Sequence, residues 1–313
     1  MLDTHARWAL HMELILKPMP VEAPNPRIED YLGGILNLID NKQAVHFSDK
    51  KTKSMRAVDY HVDYELGLLF ILLHYADINL SDPAFEHLEK GVVRIEEKRE
   101  GEGIAVSTHM AIDLKSRDPS FGAYRVLLED VTGIGRTKLE PFLTYMMRLL
   151  PRMEFSLDDG KVRKFRSVAE LHGFQSVTLK EDLSSGVLSG IELVQVGVAG
   201  SEYDEEGLLK EERRAIKLDV EKKLPTEGAI ELINRVTGKA RNNGFSNMRV
   251  TWRRDEGKQK SRAFGTHRED VSDVLTLGTS HMRYDALREQ CEQEIRADVV
   301  ENLKEVLLSQ RKQ

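Results

Sequence analysis

Between Arg249 and Arg268 the sequence reads RVTWRRDEGKQKSRAFGTHR, and seven of these residues are Arg or Lys. Guanidinium and ammonium groups at that density call for an anionic partner, and clustered positive charge is the electrostatic footprint of a nucleic-acid binder. Met248, Val250 and Trp252 alternate with Arg249, Thr251 and Arg253, the period of a half-buried strand. Asp255 to Lys258 read as a turn, and Lys260, Arg262 and Phe264 alternate on the return. The expectation is a hairpin that packs Val250 and Trp252 on one face and carries a row of cations on the other. Arg249, Arg253, Arg254, Lys258, Lys260 and Arg262 are its candidate phosphate contacts. A solvated hairpin face without a partner would show the same pattern.

Two further segments carry similar chemistry. In LLEDVTGIGRTKLEPFL, Leu127 to Leu143, two glycines flank Ile134, and Arg136 and Lys138 precede an apolar helix. Glycines admit close backbone approach, and the amides that open a helix are anion donors. The G-I-G turn resembles that of a helix-hairpin-helix element, although Tyr124–Leu128 upstream reads as a strand. The spacing fits neither a P-loop nor a dinucleotide fingerprint. The second segment, Lys210 to Lys223, adds Arg213, Arg214 and Lys217 as third-rank phosphate contacts. A tight turn and a solvated charged face are the plainer readings of the two.

Nothing equally sharp points to catalysis. The ten histidines are scattered without metal-ligand spacing, and no GxSxG, Cys–His or nucleotide motif is present. No cofactor, metal or catalytic residue is therefore expected. A metal-dependent nuclease and a module that docks on an acidic protein remain as alternatives.

The chain has 313 residues and a formal charge of −6, so any nucleic-acid contact has to be local. A single cysteine, Cys291, excludes an intrachain disulfide and a multi-cysteine zinc site. The first residues have an acid at position 3 and no small-residue cleavage site, unlike a signal peptide. The longest apolar run, Leu66 to Leu73, falls far short of the roughly 20 residues of a membrane span. These features predict a cytoplasmic protein without membrane insertion.

The elements that must position these residues follow from periodicity and punctuation. A strand is expected over residues 8–17, a proline-broken stretch after it, and a helix from Ile28. Short strands follow around Gln43–Phe47 and Leu66–His74, and Ser81 and Pro83 suggest a helix over Leu80–Lys90. Strands over Gly91–Lys98, Gly103–Met110 and Tyr124–Leu128 precede a helix over Leu139–Leu150. Polar Ser156–Arg166 reads as the link to a second domain. There, strands near Gln175–Leu179 and Ile191–Val198 lead to a helix over Gly228–Arg241, stopped at Asn242–Gly244. Leu287, Cys291, Ile295, Val299, Leu303 and Val306 predict one long closing helix over Tyr284–Gln313. The sum is an α+β protein with antiparallel sheets and packed helices, divided into residues 1–155 and 156–313.

In order along the chain, ILNLIDN at Ile35–Asn41, GIGRT at Gly133–Thr137, Phe245–Asn247 at the start of a strand pair, and a closing helix match a known pattern. With these the chain resembles the RexA group, the phage-encoded exclusion proteins of temperate phages. It is longer than that pattern between residues 40 and 80 and around 200. The resemblance implies a homodimer that binds double-stranded DNA with little sequence preference in phage exclusion or antiviral defence, with a membrane-protein effector as a further partner. It also implies a fold similar to the recombination-associated protein RdgC. Arg136 falls on the matching turn, and Arg213 to Lys217 lie where RexA is also rich in Lys and Arg. The hairpin is more basic than its RexA counterpart.

Overall fold

The computed structural model describes residues 3–118, 121–157, 159–198, 211–255 and 257–311. The chain divides into two compact units, residues 1–174 with 278–313, and residues 175–277. The second is therefore an insertion into the first, and the division expected at residue 155 is not where the chain parts. The link predicted over Ser156–Arg166 is instead a hairpin of the first unit.

The first unit runs through β1 (Ala6–Met19), α1 (Ile28–Asp40), β2 (Val45–Ser48), β3 (Lys53–Asp63) and β4 (Leu68–Asp77). Next come β5 (Ala84–Glu86), β6 (Val93–Ile95), β7 (Ile104–Asp113), β8 (Ala123–Glu129), α2 (Arg136–Leu149), β9 (Met153–Ser156) and β10 (Val162–Gly173). The inserted unit holds β11 (Gln175–Thr178), α3 (Leu179–Ser184), β12 (Gly186–Val198), β13 (Glu211–Asp219) and α4 (Thr226–Asn242). It continues with β14 (Asn247–Arg254), β15 (Gln259–Gly265) and β16 (Leu275–Leu277). The chain then returns to the first unit as β17 (Thr279–Arg283) and α5 (Ala297–Gln310).

The large sheet of the first unit has the order β2-β3-β4-β7-β8-β1-β10-β9, with β17 also paired to β1. It is antiparallel throughout. Its central strand explains the apolar run at Leu66–Leu73. Leu69, Ile71 and Leu73 face a core built with α1 and α2, whereas Leu68 and Phe70 face α5 on the other side. A strand covered on both faces reads as continuous hydrophobicity rather than alternation.

Two helices expected from the sequence are not formed as read. Leu80–Lys90 contains β5, paired to β6 through Ala84↔Ile95 and Glu86↔Val93. Val92, Val93 and Ile95, with Gly91 at φ +62°, favour the ribbon over the helical spacing of the first arm. The closing helix is shorter than predicted and begins only at Ala297. The residues before it cross the sheet in irregular conformation because their polar groups are engaged there. Arg288 lies 3.2 Å from Glu129 and donates to Glu292, the amide of Glu292 donates to Ser107 Oγ, and His74 Nε2 donates to the Glu292 carbonyl. Leu287, counted in the predicted apolar stripe, is 66% exposed.

Glu129 centres that network. It is buried against Arg7, His109 and Arg288 at 3.4, 2.8 and 3.2 Å. Burial alone would push its carboxyl up, but His109 and Arg288 outweigh this and hold it below the usual carboxylate range. Among the described residues no helix is long and apolar enough to cross a membrane.

Candidate nucleic-acid interface

The inserted unit is built on an antiparallel four-stranded sheet of order β13-β12-β14-β15. One face packs Leu188, Ile191, Leu193, Met248, Val250, Trp252 and Phe264 against α3 and α4. On the other face no helix of this unit packs, among the described residues. In β14 the burial alternates residue by residue, so Arg249 and Arg253 are exposed while Met248, Val250 and Trp252 are buried.

Register then decides where every cation points. Trp252 pairs with Lys260, Val250 with Arg262 and Met248 with Phe264. Directly paired residues share a face, so Lys260 and Arg262 lie on the side of the core and not beside Arg249 and Arg253. The single row of cations expected from the sequence is split between the two faces. Lys260 is 8% exposed at its side chain and donates to both oxygens of buried Asp182, at 3.0 and 2.8 Å, and to the Leu277 carbonyl at 2.9 Å. Burial pulls its ammonium below the ordinary lysine range, and the Asp182 carboxylate opposes that shift. Arg254 approaches the same carboxylate at 3.7 Å. Arg262 is half-buried and donates to Gln175 Oε1. Lys260 is thus a structural ion-pair partner and cannot reach a phosphate. Lys258 is half-buried in the turn between the strands.

The open face gains cations from the edge strand instead. Glu192 on β12 pairs with Lys217 on β13 and with Arg249 on β14. Lys217 and Arg213 are exposed on this side, whereas Arg214 points to the opposite face and is half-buried. Arg213, Lys217, Arg249 and Arg253 therefore stand on one surface, around a trough of about 660 Å³ that includes Lys217, Asp219, Arg249 and Arg253. Glu192 lies at its centre with 17% of its side chain exposed, 3.3 Å from Arg213 and 3.7 Å from Arg249. Sequence reasoning missed Glu192, because its place among the cations depends on pairing with two strands distant in sequence.

Arg136 and Lys138 belong to the first unit. Gly133, at φ +98°, turns the chain after β8, Ile134 is buried, and α2 begins at Arg136. The element before the turn is a strand, so the first helix of a helix-hairpin-helix is absent there. Arg136 is exposed and 4.0 Å from Glu140. Lys138 donates to the Gly133 carbonyl and stacks 3.5 Å from the Tyr75 ring centroid. Lys210, at the start of the charged stretch, lies outside the described residues. Among the described residues no group of three or more His, Cys, Asp or Glu is arranged to hold a metal ion. No protein-family model and no curated protein matches this chain.

Proposed function

We propose that the open face of the β13-β12-β14-β15 sheet binds the phosphate backbone of double-stranded DNA without reading its sequence. The observation that carries this reading is the convergence of Arg213, Lys217, Arg249 and Arg253, all exposed and from two separated sequence segments, on one face of the sheet. Arg249 and Arg253 lie about 13 Å apart along their strand, and β13 is about 10 Å from β14. Those spans match the roughly 12 Å width of a duplex groove. Among the described residues this face carries no aromatic ring, since Trp252 is turned into the core. Single-strand binders stack bases on such rings, which favours a duplex. Cations that touch phosphates position a protein but do not discriminate bases. Phage exclusion, the role implied by the resemblance to RexA, is a setting in which sequence-independent binding to incoming duplex would serve.

The test is fluorescence anisotropy with a labelled duplex of arbitrary sequence, titrated with salt. Four phosphate contacts give a log–log slope near −3.6, so affinity should fall about a hundredfold between 50 and 200 mM salt. Replacing Arg213, Lys217, Arg249 and Arg253 by Ala should lower affinity at least tenfold and leave the melting temperature nearly unchanged. Equal affinity in that variant would overturn the assignment. Cleavage of the duplex on adding magnesium would turn the reading to a nuclease.

A further inference from the structure

β15 ends at Gly265, and the chain then turns back on the sheet. Thr266 fixes that turn. Its N–H donates to the Ser246 carbonyl at 3.0 Å, and its buried hydroxyl donates to the Phe245 carbonyl at 2.6 Å. The Arg268 N–H closes the turn on the Gly265 carbonyl at 3.5 Å. Held this way, the His267 ring lies over Gly265, where a Cβ would overlap its Nδ1 and Cε1 atoms. Gly265 pairs directly with Asn247, which is exposed and two residues before Arg249 on β14. Directly paired residues share a face. The imidazole therefore occupies the face that carries Arg249 and Arg253, not the side on which Phe264 is buried.

His267 is exposed and has no hydrogen-bond or ion-pair partner among the described residues, so its ring is available to a ligand. The charged groups nearest to it are mainly cations. Arg249 pairs with Ala263, two residues before Gly265, which makes it a diagonal neighbour at about 7–8 Å. Arg241, at the end of α4, donates to the Arg268 carbonyl at 3.5 Å, and Arg268 itself is exposed. Of the carboxylates, Asp270 is engaged by Asn234 and Ser272, and Glu192 lies beyond Arg249 on β12. Glu269 follows two residues later and forms no pair with the ring among the described residues. Phosphates succeed one another about every 3.4 Å of helix axis along each strand. A backbone seated on Arg249 thus has a further phosphate within reach of His267.

We infer that His267 is a further phosphate contact of this face, effective as the imidazolium, so that duplex binding strengthens as pH falls. This rests on the DNA-binding reading above. An imidazole is the side chain whose charge changes between about pH 5 and 8, whereas arginine and lysine stay charged throughout. Neutral, His267 leaves the row of four cations as it is; protonated, it extends that row by one. A bound phosphate favours the charged ring, so forming the complex takes up a proton. The association constant must then rise as pH falls through the histidine range. Gly265 is the residue that admits the ring to this face, and a side chain there would push it away.

Anisotropy with one labelled duplex at about pH 7.5 and about pH 5.5 tests it, on the full-length wild type, His267→Gln and His267→Arg. On going to the lower pH the wild type should gain about three- to fivefold more affinity than His267→Gln, the worth of one exposed ion pair. Its salt slope should steepen from about −3.6 to about −4.5, one phosphate more, while that of His267→Gln should not. His267→Arg should bind at the higher pH as the wild type does at the lower. Gly265→Ala, with Arg249 and Arg253 in place, should lose the pH response as His267→Gln does. Calorimetry near pH 6.5 in two buffers of different ionisation enthalpy gives a second readout: the wild type should take up more protons per duplex than His267→Gln. Equal pH responses or equal proton uptake in the two chains overturn the role of His267. Where Arg249→Ala with Arg253→Ala still weakens binding, that result leaves the DNA-binding reading standing. A wild type that binds no duplex at either pH overturns both.

Discussion

Lys260→Ala should unfold the inserted unit far more readily than Arg253→Ala, although both remove a cation from one hairpin. Lys260 Nζ supplies two hydrogen bonds to Asp182 and one to the Leu277 carbonyl. Without it Asp182, 1% exposed, keeps the Thr276 hydroxyl at 2.6 Å and Arg254 at 3.7 Å. Breaking a buried pair by removing one partner typically costs about 3–5 kcal/mol. Arg254 is in place to compensate in part, so about 3 kcal/mol is expected. For a unit of this size that corresponds to a drop in Tm of roughly 12–24 °C. Arg253 faces solvent on the other side of the sheet, and its loss should stay within about 0.5 kcal/mol. Fluorescence suits the assay, because the chain has two tryptophans and Trp252, fully buried, pairs directly with Lys260. In a Trp8→Phe background Trp252 alone reports thermal unfolding. Asp182→Asn combined with Lys260→Met should cost less than the two single changes summed, since no lone charge is left buried. Equal melting temperatures for Lys260→Ala and Arg253→Ala would refute the register argument that separates the two cations.

Three other outcomes follow from the same geometry. Glu192→Gln removes the carboxylate 3.3 Å from Arg213 and 3.7 Å from Arg249, and should tighten duplex binding several-fold and steepen its salt slope, as read by anisotropy. Burial, reinforced by Arg56 and His109, pulls the pKa of His74 below its ordinary 6.5. As pH falls below 6.5 the unfolded chain takes up a proton that the folded chain resists, so stability drops toward the folded pKa; urea titrations at pH 7.5 and 5.5 should show that loss shrink in His74→Phe. Finally, Phe174 and Gly278 are joined by a backbone hydrogen bond of 3.0 Å, so replacing residues 175–277 by a short Gly-Ser linker should leave the first unit folded by circular dichroism.

The α+β class was legible because the strongest periodic segments keep their period in the fold. Ile28 to Asp40 has its apolar stripe on one core, and the Asn242–Gly244 stop ends α4 with Gly244 at φ +81°. What failed was inference across distance. Leu287, Cys291 and Ile295 have helical spacing, but Arg288 and Glu292 between them are bound to the sheet, and tertiary ion pairs override a local pattern. Residues 156–166 are polar, yet their backbone groups complete a hairpin whose second strand pairs with β1 at the other end of the sequence. The split of the hairpin cations was within reach of the sequence. Phe264 has the same parity as Lys260 and Arg262, so an apolar residue on the return strand marks their face as the buried one. Glu192 and Lys217 had no such signal, since their adjacency to Arg249 is a property of the sheet order alone.

A chain with net charge −6 gains nothing from long-range attraction to DNA, so the proposed binding would have to arise within about 10 Å, the screening length at 0.1 M salt. At that range only cations without a competing internal partner count in full. The inward Lys260 supplies stability, and the outward Arg253 is placed for the proposed contact. Four contacts per face support only weak affinity, and Glu192 lowers it further. Tighter binding would then call for more than one such face on the same duplex, which raises the effective concentration of the second face. The salt slope distinguishes the two cases: one face gives about −3.6, while two faces acting together approach −7. A slope that stays near −3.6 at every protein concentration would mean that one face alone touches DNA.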